Sequence, residues 1–295
     1  MLFLFFFLTL ISSCENEPIT TPFSFEYDLD QPNATFEMPY DLLEISGLGM
    51  TADGKQMVAV QDEDGIIFML DSATGTVTQS IKFWKNGDYE GIEIIGQKVY
   101  VVKNTGTIYE VDLQKKEIET QKFNDDNLDK KNDVEGLGYD ATHHQLLLAC
   151  KADAGLGPDD DFEKAIYGFE LKTQKLNPDP VFVITLAAVQ EYLREAPEIE
   201  GFEKLSERFL EADDKFSFHP SALAIHPLTG HLYICSSIGK MMLVLDPSGR
   251  VLHIAKMKKK IHEQPEGICF APDGTLYIAN EGKKGPGKIY RFDPQ

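Results

Sequence analysis

The sequence predicts an all-β protein, a β-propeller of five blades, and three observations carry that prediction. A short phrase built on Glu-Gly recurs at Asp88-Tyr89-Glu90-Gly91, Asp133-Val134-Glu135-Gly136 and Gln264-Pro265-Glu266-Gly267, with echoes at Glu44-Ile45-Ser46-Gly47 and His219-Pro220-Ser221-Ala222. The third residue of each phrase falls at 46, 90, 135, 221 and 266, in steps of 44, 45, 86 and 45. Repeats of about 40–45 residues that hold several short strands are the mark of propeller blades. Each phrase is also followed by alternating apolar runs joined by Asp/Gly turns, the pattern of an antiparallel meander.

The chain starts with MLFLFFFLTLISS, residues 1–13, which carry no charge. They are fewer than the roughly 20 needed to span a bilayer and end in small residues, which reads as a secretory signal peptide. Leu10-Ile11-Ser12-Ser13 ahead of Cys14 resembles the lipobox of bacterial lipoproteins, although no Lys or Arg precedes it. The resemblance implies that Cys14 is acylated after cleavage, and several acyl chains at about 0.8 kcal/mol per buried methylene give a stable anchor. Residues 14–22 are a polar tether with two prolines, and Glu15 and Glu17 are similar to the acidic export tags of surface lipoproteins in some Gram-negative groups. The expected address is the cell envelope of a Gram-negative bacterium, at the outer membrane on its periplasmic or surface side, with the lipid as the only membrane contact.

Residues 23–295 form the propeller. The first repeat has strands at 46–50, 57–60, 65–70 and 76–81; the second at 91–95, 99–102, 107–111 and 117–120; the third at 136–139, 146–150, 165–171 and 181–186. The double step of 86 then admits either a sixth blade or an insertion. Residues 187–215 space their apolar side chains by three and four, a helical period, so a helical insertion and five blades are favoured over six. The fourth repeat has strands at 223–226, 232–235, 241–245 and 251–255, and the fifth only three, at 268–271, 276–279 and 288–292. The alternating stretch 23–29 is expected to supply the missing outer strand and close the ring, removing an exposed edge.

Because blades are copies, equal offsets converge on one axis. Ser46, Glu90, Glu135, Ser221 and Glu266 form one tier at a channel mouth, and Glu44, Asp88, Asp133, His219 and Gln264, two residues earlier, a second. Gly47, Gly91, Gly136, Ala222 and Gly267 follow where backbones crowd. The second strands bring Gln61, Lys103, Lys151, Ser236 and Asn280 to the same mouth, with Asp62, Asn104, Ser237 and Glu281 beside them. Glu90, Glu135 and Glu266 suit a hard cation such as Ca2+, which takes oxygen ligands; Lys103 and Lys151 offer instead a structural ion-pair network. The residues fit both readings.

The chain has 28 Lys plus Arg against 48 Asp plus Glu, a formal charge of -20, which repels nucleic acid and excludes that class of partner. Cys150, Cys235 and Cys269 lie in apolar strands and read as small core residues. Gly282-Lys283-Lys284-Gly285-Pro286-Gly287-Lys288 has phosphate-loop spacing but continues into Ile289 and joins two strands, so it reads as a basic hairpin loop. No GxSxG elbow or HExxH pair is present.

The phrases ISGLGM, DYEGIEII, DVEGLGYD, HPSALAIH and QPEGICFAPDGTLYIA, over about residues 40–293, resemble those of the SdiA-regulated family of envelope β-propellers. More distantly they are similar to gluconolactonase-like and phytase-like propellers, whose axial acids bind calcium. The closer resemblance implies the propeller and the envelope address but no settled reaction. Two functions are therefore expected. The first is a monomeric module that binds a small molecule or an envelope protein through Glu44, Asp88, Glu90, Lys103, Asp133, Glu135, Lys151, His219, Glu266 and Glu281, with the helical insertion partly covering the mouth. The second is a calcium-dependent hydrolase of a lactone or phosphoester, with Glu90, Glu135 and Glu266 on the metal and His219 as general base.

Overall fold

The computed structural model describes residues 23–115, 117–157, 160–211 and 215–295. The signal peptide, Cys14 and the tether lie outside the described residues. Five four-stranded antiparallel sheets make five blades. From the axis outward, blade 1 has strands Ile45–Met50, Gln56–Gln61, Ile66–Asp71 and Val77–Lys82. Blade 2 has Tyr89–Ile95, Lys98–Lys103, Ile108–Asp112 and Glu119–Phe123, and blade 3 Val134–Asp140, Gln145–Cys150, Glu163–Glu170 and Lys175–Thr185. Blade 4 has Pro220–Ile225, Leu232–Ser236, Met241–Leu245 and Val251–Lys256, and blade 5 Pro265–Phe270, Leu276–Asn280 and Lys288–Phe292. The inner strands are buried on both faces and the outer strands are half exposed, so the apolar runs lie nearest the axis. Cys150, Cys235 and Cys269 are buried, unpaired core residues.

One register irregularity recurs in every blade. Pairing between the first and second strands skips a residue between Ile45 and Gly47, Tyr89 and Gly91, Val134 and Gly136, Pro220 and Ala222, and Pro265 and Gly267. The skipped residues are Ser46, Glu90, Glu135, Ser221 and Glu266, so the repeated phrase encodes a β-bulge. A bulge leaves its extra residue out of the ladder and re-aims the side chain. The small residue that follows answers to crowding between blades. A Cβ on Gly91 would stand 2.6 Å from the Cβ of Leu137 in blade 3, and one on Gly267 2.9 Å from that of Leu48 in blade 1.

The fifth blade is closed by an N-terminal strand, but not by the expected one. Ala34–Glu37 pairs antiparallel with the last strand, from Ala34 opposite Arg291 to Glu37 opposite Lys288. Residues 23–29 instead run over the rims of blades 4 and 5, where Tyr27 and Leu29 are buried among Tyr233, Met257, Phe270 and Phe292. The alternation that suggested a strand is real, but its aromatic face meets side chains and not a free strand edge. Phe25 stacks on His253 with ring centroids 4.7 Å apart. Tyr27 donates its hydroxyl proton to the Gly274 carbonyl at 2.6 Å. His226 Nδ1 accepts from the backbone N–H groups of Leu228 and Thr229 at 3.3 Å, so its proton sits on Nε2, which donates to the Tyr27 oxygen at 3.0 Å. Burial lowers the His226 pKa, in keeping with this neutral tautomer.

Between blades 3 and 4 stands the insertion, with helices α1 (Leu186–Glu195) and α2 (Phe202–Ser206) and a π-helical turn, Glu207–Glu211. The Thr185 hydroxyl caps α1 by accepting from Ala188 N at 3.1 Å. Leu186, Val189 and Leu193 on α1, Leu205 and Phe209 join a core with Ile184, Leu243 and Ile254. Helix α1 packs on the outer strands of blades 3 and 4, so this helix fills the rim between two blades.

If the bulge phrase is a packing device, Gly91→Ala should cost about 1–3 kcal/mol, the usual penalty for overpacking, while Gly96→Ala, with open space around it, should cost only the strain of its φ of +63°. Equilibrium urea unfolding of both variants checks the order.

Candidate functional site

Below the tier of bulge residues, Leu48, Ile92, Leu137, Leu223 and Ile268 converge and leave a cavity of about 10 Å³, room for about one water. The axis is therefore plugged, and the mouth is a shallow polar bowl. Ser46 and Ser221 turn their hydroxyls back to backbone, donating to Glu44 O at 3.2 Å and Pro265 O at 2.7 Å. Three carboxyl groups remain, from Glu90, Glu135 and Glu266.

Their environments differ. Lys151 makes an ion pair and hydrogen bond with Glu135 Oε1, and the other oxygen, Oε2, is buried with no protein partner. Burial works against the Lys151 ammonium, yet Glu135, Glu266 and Asp133 outweigh it and hold its pKa above the ordinary value. Burial, and then Glu266, push the Glu135 carboxyl up against the pull of Lys151. Glu266 rises to about 7 through burial, opposed by Lys151 and by hydrogen bonds from Ser237 and Gln264. Glu90 has no lysine. Burial, then Glu135 and Asp88, and a hydrogen bond with the Asp88 carboxyl raise it to about 9. Of the three, Glu90 is thus the carboxyl whose surroundings most favour the protonated form.

The second tier is tied into neighbouring loops. Asp88 accepts from Asn104 Nδ2, and Glu281 accepts from Gln264 Nε2. Asp133 has a positive φ of 51°, tolerable for Asp, and its carbonyl accepts from Lys151 N at 2.9 Å. His219 Nδ1 lies 3.3 Å from the Lys151 carbonyl; because a carbonyl only accepts, Nδ1 carries the proton and Nε2 keeps its lone pair. Burial and then Lys164 lower the His219 pKa.

Lys103 and Lys151 do not occupy equivalent places. Strand pairing sets Tyr89 opposite Lys103 and Val134 opposite Cys150. Lys151 is thus one residue further along, in line with Asp62, Asn104, Ser237 and Glu281. That step lets it reach Glu135, whereas the Lys103 ammonium lies 5.8 Å from the centre of the Tyr89 ring. The expected two-lysine network reduces to one ion pair.

Three further residues belong to the site. Burial, with Glu44, Glu63 and Glu281 nearby, raises Asp62 to about 6, and its Oδ1 is buried without a partner, as are both side-chain polar atoms of Asn280. The column position of Asp62 signalled this, although its Asp-Glu-Asp-Gly surroundings read as a solvated turn. Deeper along the inner strand of blade 2, Glu93 Oε1 accepts from Ile94 N at 3.0 Å, and burial raises its pKa to about 7. Nothing in the repeat announced Glu93, since the matching positions in blades 1 and 3 are Gly49 and Gly138. Among the described residues no three His, Cys, Asp or Glu side chains group as a metal ion requires.

The Glu90 shift has a definite sign. Its folded pKa, about 9, lies above the ordinary 4.5, so between these values the folded state binds the extra proton. Stability from this group is full below pH 4.5 and declines as pH rises toward 9. Glu90→Gln should flatten that decline, so that its melting temperature relative to wild type is higher at pH 9 than at pH 5, by about 2–4 °C for each kcal/mol relieved. Thermal melts at the two pH values check it.

No curated protein matches the chain. Among solved structures, the glutaminyl cyclase of Myxococcus xanthus superposes with a TM-score of 0.54 at 13% identity, covering 89% of this chain and 95% of that one. A chain of the nidogen/laminin complex matches with a TM-score of 0.46 at 12% identity, over 80% of this chain and 72% of that one. At such identities the first likeness speaks for the fold alone. The family model described as SdiA-regulated matches residues 24–153 and 179–293, a span that takes in the bulge phrases of all five blades, and the chain belongs to the SdiA-regulated family.

Proposed function

We propose that this propeller is a monomeric, lipid-anchored binding module of the Gram-negative envelope, whose axial mouth takes the donor-rich or cationic group of a small molecule or of an envelope protein. The carrying observation is the set of buried acceptors without partners around that mouth: Glu135 Oε2, Asp62 Oδ1 and Asn280 Oδ1. A buried acceptor left unpaired costs about 1–3 kcal/mol, and donors from a ligand would remove that cost. The plugged axis supports binding over catalysis, because it leaves no enclosed chamber in which a reacting group could be shielded from water. A cationic group would also lower the raised pKa values of Glu90 and Glu266 by favouring their ionised forms.

A second reading, a calcium-dependent hydrolase of a lactone or phosphoester, is favoured by one observation. His219 keeps an unprotonated Nε2 and a lowered pKa, the state that a general base needs. Glu90, Glu135 and Glu266 would be the residues to hold the ion, which would polarise substrate or water.

One thermal-shift experiment separates the readings. Amine- and guanidine-bearing small molecules, spermidine and arginine among them, should raise the melting temperature of wild type, and Glu135→Gln should lose most of that rise. Calcium should leave it unchanged. Stabilisation by calcium that EDTA reverses would favour the hydrolase, and amine hits insensitive to both Glu90→Gln and Glu135→Gln would move the site elsewhere. The anchor rests on the lipobox-like run before Cys14. Cys14→Ala should shift the protein from the membrane to the soluble fraction of cells, and a variant that still sediments with membranes would refute lipidation.

A further inference from the structure

A second cavity, which shares no lining residue with the axial one, is formed by the insertion and blade 4. Its volume is about 630 Å³, and it is lined by Lys204, Arg208, Lys240, Lys256 and Lys259 with a single acid, Glu207. Such a volume is that of a small-molecule site, about 300–1,000 Å³. The charge is notable because the whole chain carries -20, so carboxylates are plentiful, yet among the described residues none of these five cations pairs with one. Their neighbour Lys258 does, with Asp30 at 2.5 Å and Glu200 at 3.8 Å.

The three half-buried cations are held by backbone carbonyls. Arg208 Nη1 donates to Ser217 O at 3.0 Å, Lys240 Nζ to Ser237 O at 2.5 Å, and Lys256 Nζ to Lys240 O at 3.2 Å and also to Gly239 O. A carbonyl is a dipole and leaves the net charge uncancelled. Burial, then Arg208, Lys204 and Lys240, bring the Lys256 pKa down to about 8, and burial, then Lys283, lower that of Lys240 against the opposing pull of Glu266 and Glu263. The backbone thus orients several like charges at one hollow, with an arginine fork able to grip two oxygens at once. A single carboxylate would leave most of that charge unmatched, whereas a phosphoryl group brings up to two negative charges and three acceptor oxygens.

We propose that this cavity is a binding site for a phosphoryl group, independent of the axial mouth, with Arg208, Lys240 and Lys256 as its oriented donors and Lys204 and Lys259 at its rim. The group can be carried by a soluble phosphate compound or by a lipid headgroup.

The test uses the full chain and inorganic pyrophosphate in isothermal titration calorimetry at 20 mM and 200 mM salt. Binding is expected at low salt and weaker at high salt, at least tenfold weaker in Lys240→Gln/Lys256→Gln and severalfold weaker in Lys204→Gln/Lys259→Gln. The second pair is exposed, so its loss of binding can be read even if the first pair fails to fold. No binding at low salt, or equal affinity in both variants, overturns the proposal. Sedimentation with phosphatidylcholine vesicles containing phosphatidic acid identifies the source. Lysine-dependent cosedimentation assigns a headgroup, and pyrophosphate binding without cosedimentation assigns a soluble ligand.

Discussion

The structure depends on one backbone irregularity repeated five times. Each inner strand must approach the axis closely enough to pack against both neighbours, yet a regular ladder would leave no freedom in where its first side chain points. The bulge at Ser46, Glu90, Glu135, Ser221 and Glu266 meets both demands. The residue after it is small because another backbone lies there, and the residue two places on is aliphatic because it plugs the channel. Fold and site are therefore set by the same short phrase. The conservative part, Gly or Ala followed by Leu or Ile, keeps the ring closed. The bulged position itself is free to vary between Ser and Glu, and the acidity of the mouth lies in that freedom.

The mouth and the basic cavity show two ways of handling buried charge. At the axis, one cation, Lys151, stands against three carboxyls, and burial and the neighbouring acids raise the Glu90 pKa furthest. In the hollow beside the insertion the cations form no ion pair among the described residues, and backbone carbonyls steady them without cancelling them. Both are departures from the rule that buried charges are paired.

Much of this was legible in the residues because repetition turns one chain into five parallel readings. The period of the Glu-Gly phrase led to the blades, the helical spacing in 187–215 accounted for the double step, and the column of marker residues led to the axial glutamates. What was not legible depended on contacts that no period records. Residues 23–29 alternate as a strand does, but their partners are the rings of His253, Tyr233 and Phe270, far away in sequence, while the short closing strand at Ala34–Glu37 carries little pattern of its own. Lys151 was placed one position out because counting from the end of a strand cannot see its register. The basic cavity escaped notice because its members come from a helix, a π-helical turn, a hairpin loop and a strand end, which meet only in three dimensions.

The clasp at Tyr27 bears on how the ring would respond to load. A pull applied at residue 23 meets the stacked Phe25 and the chain of hydrogen bonds from His226 through Tyr27 to Gly274 before any tension reaches the closing strand at Ala34. The clasp spans blades 4 and 5, so it would spread force over two sheets, and it must be peeled away before the seam between the chain ends can be sheared. The aromatic segment acts as a strain relief, as a cable gland does where a cord enters a housing. The seam that completes the circle is mechanically downstream of it.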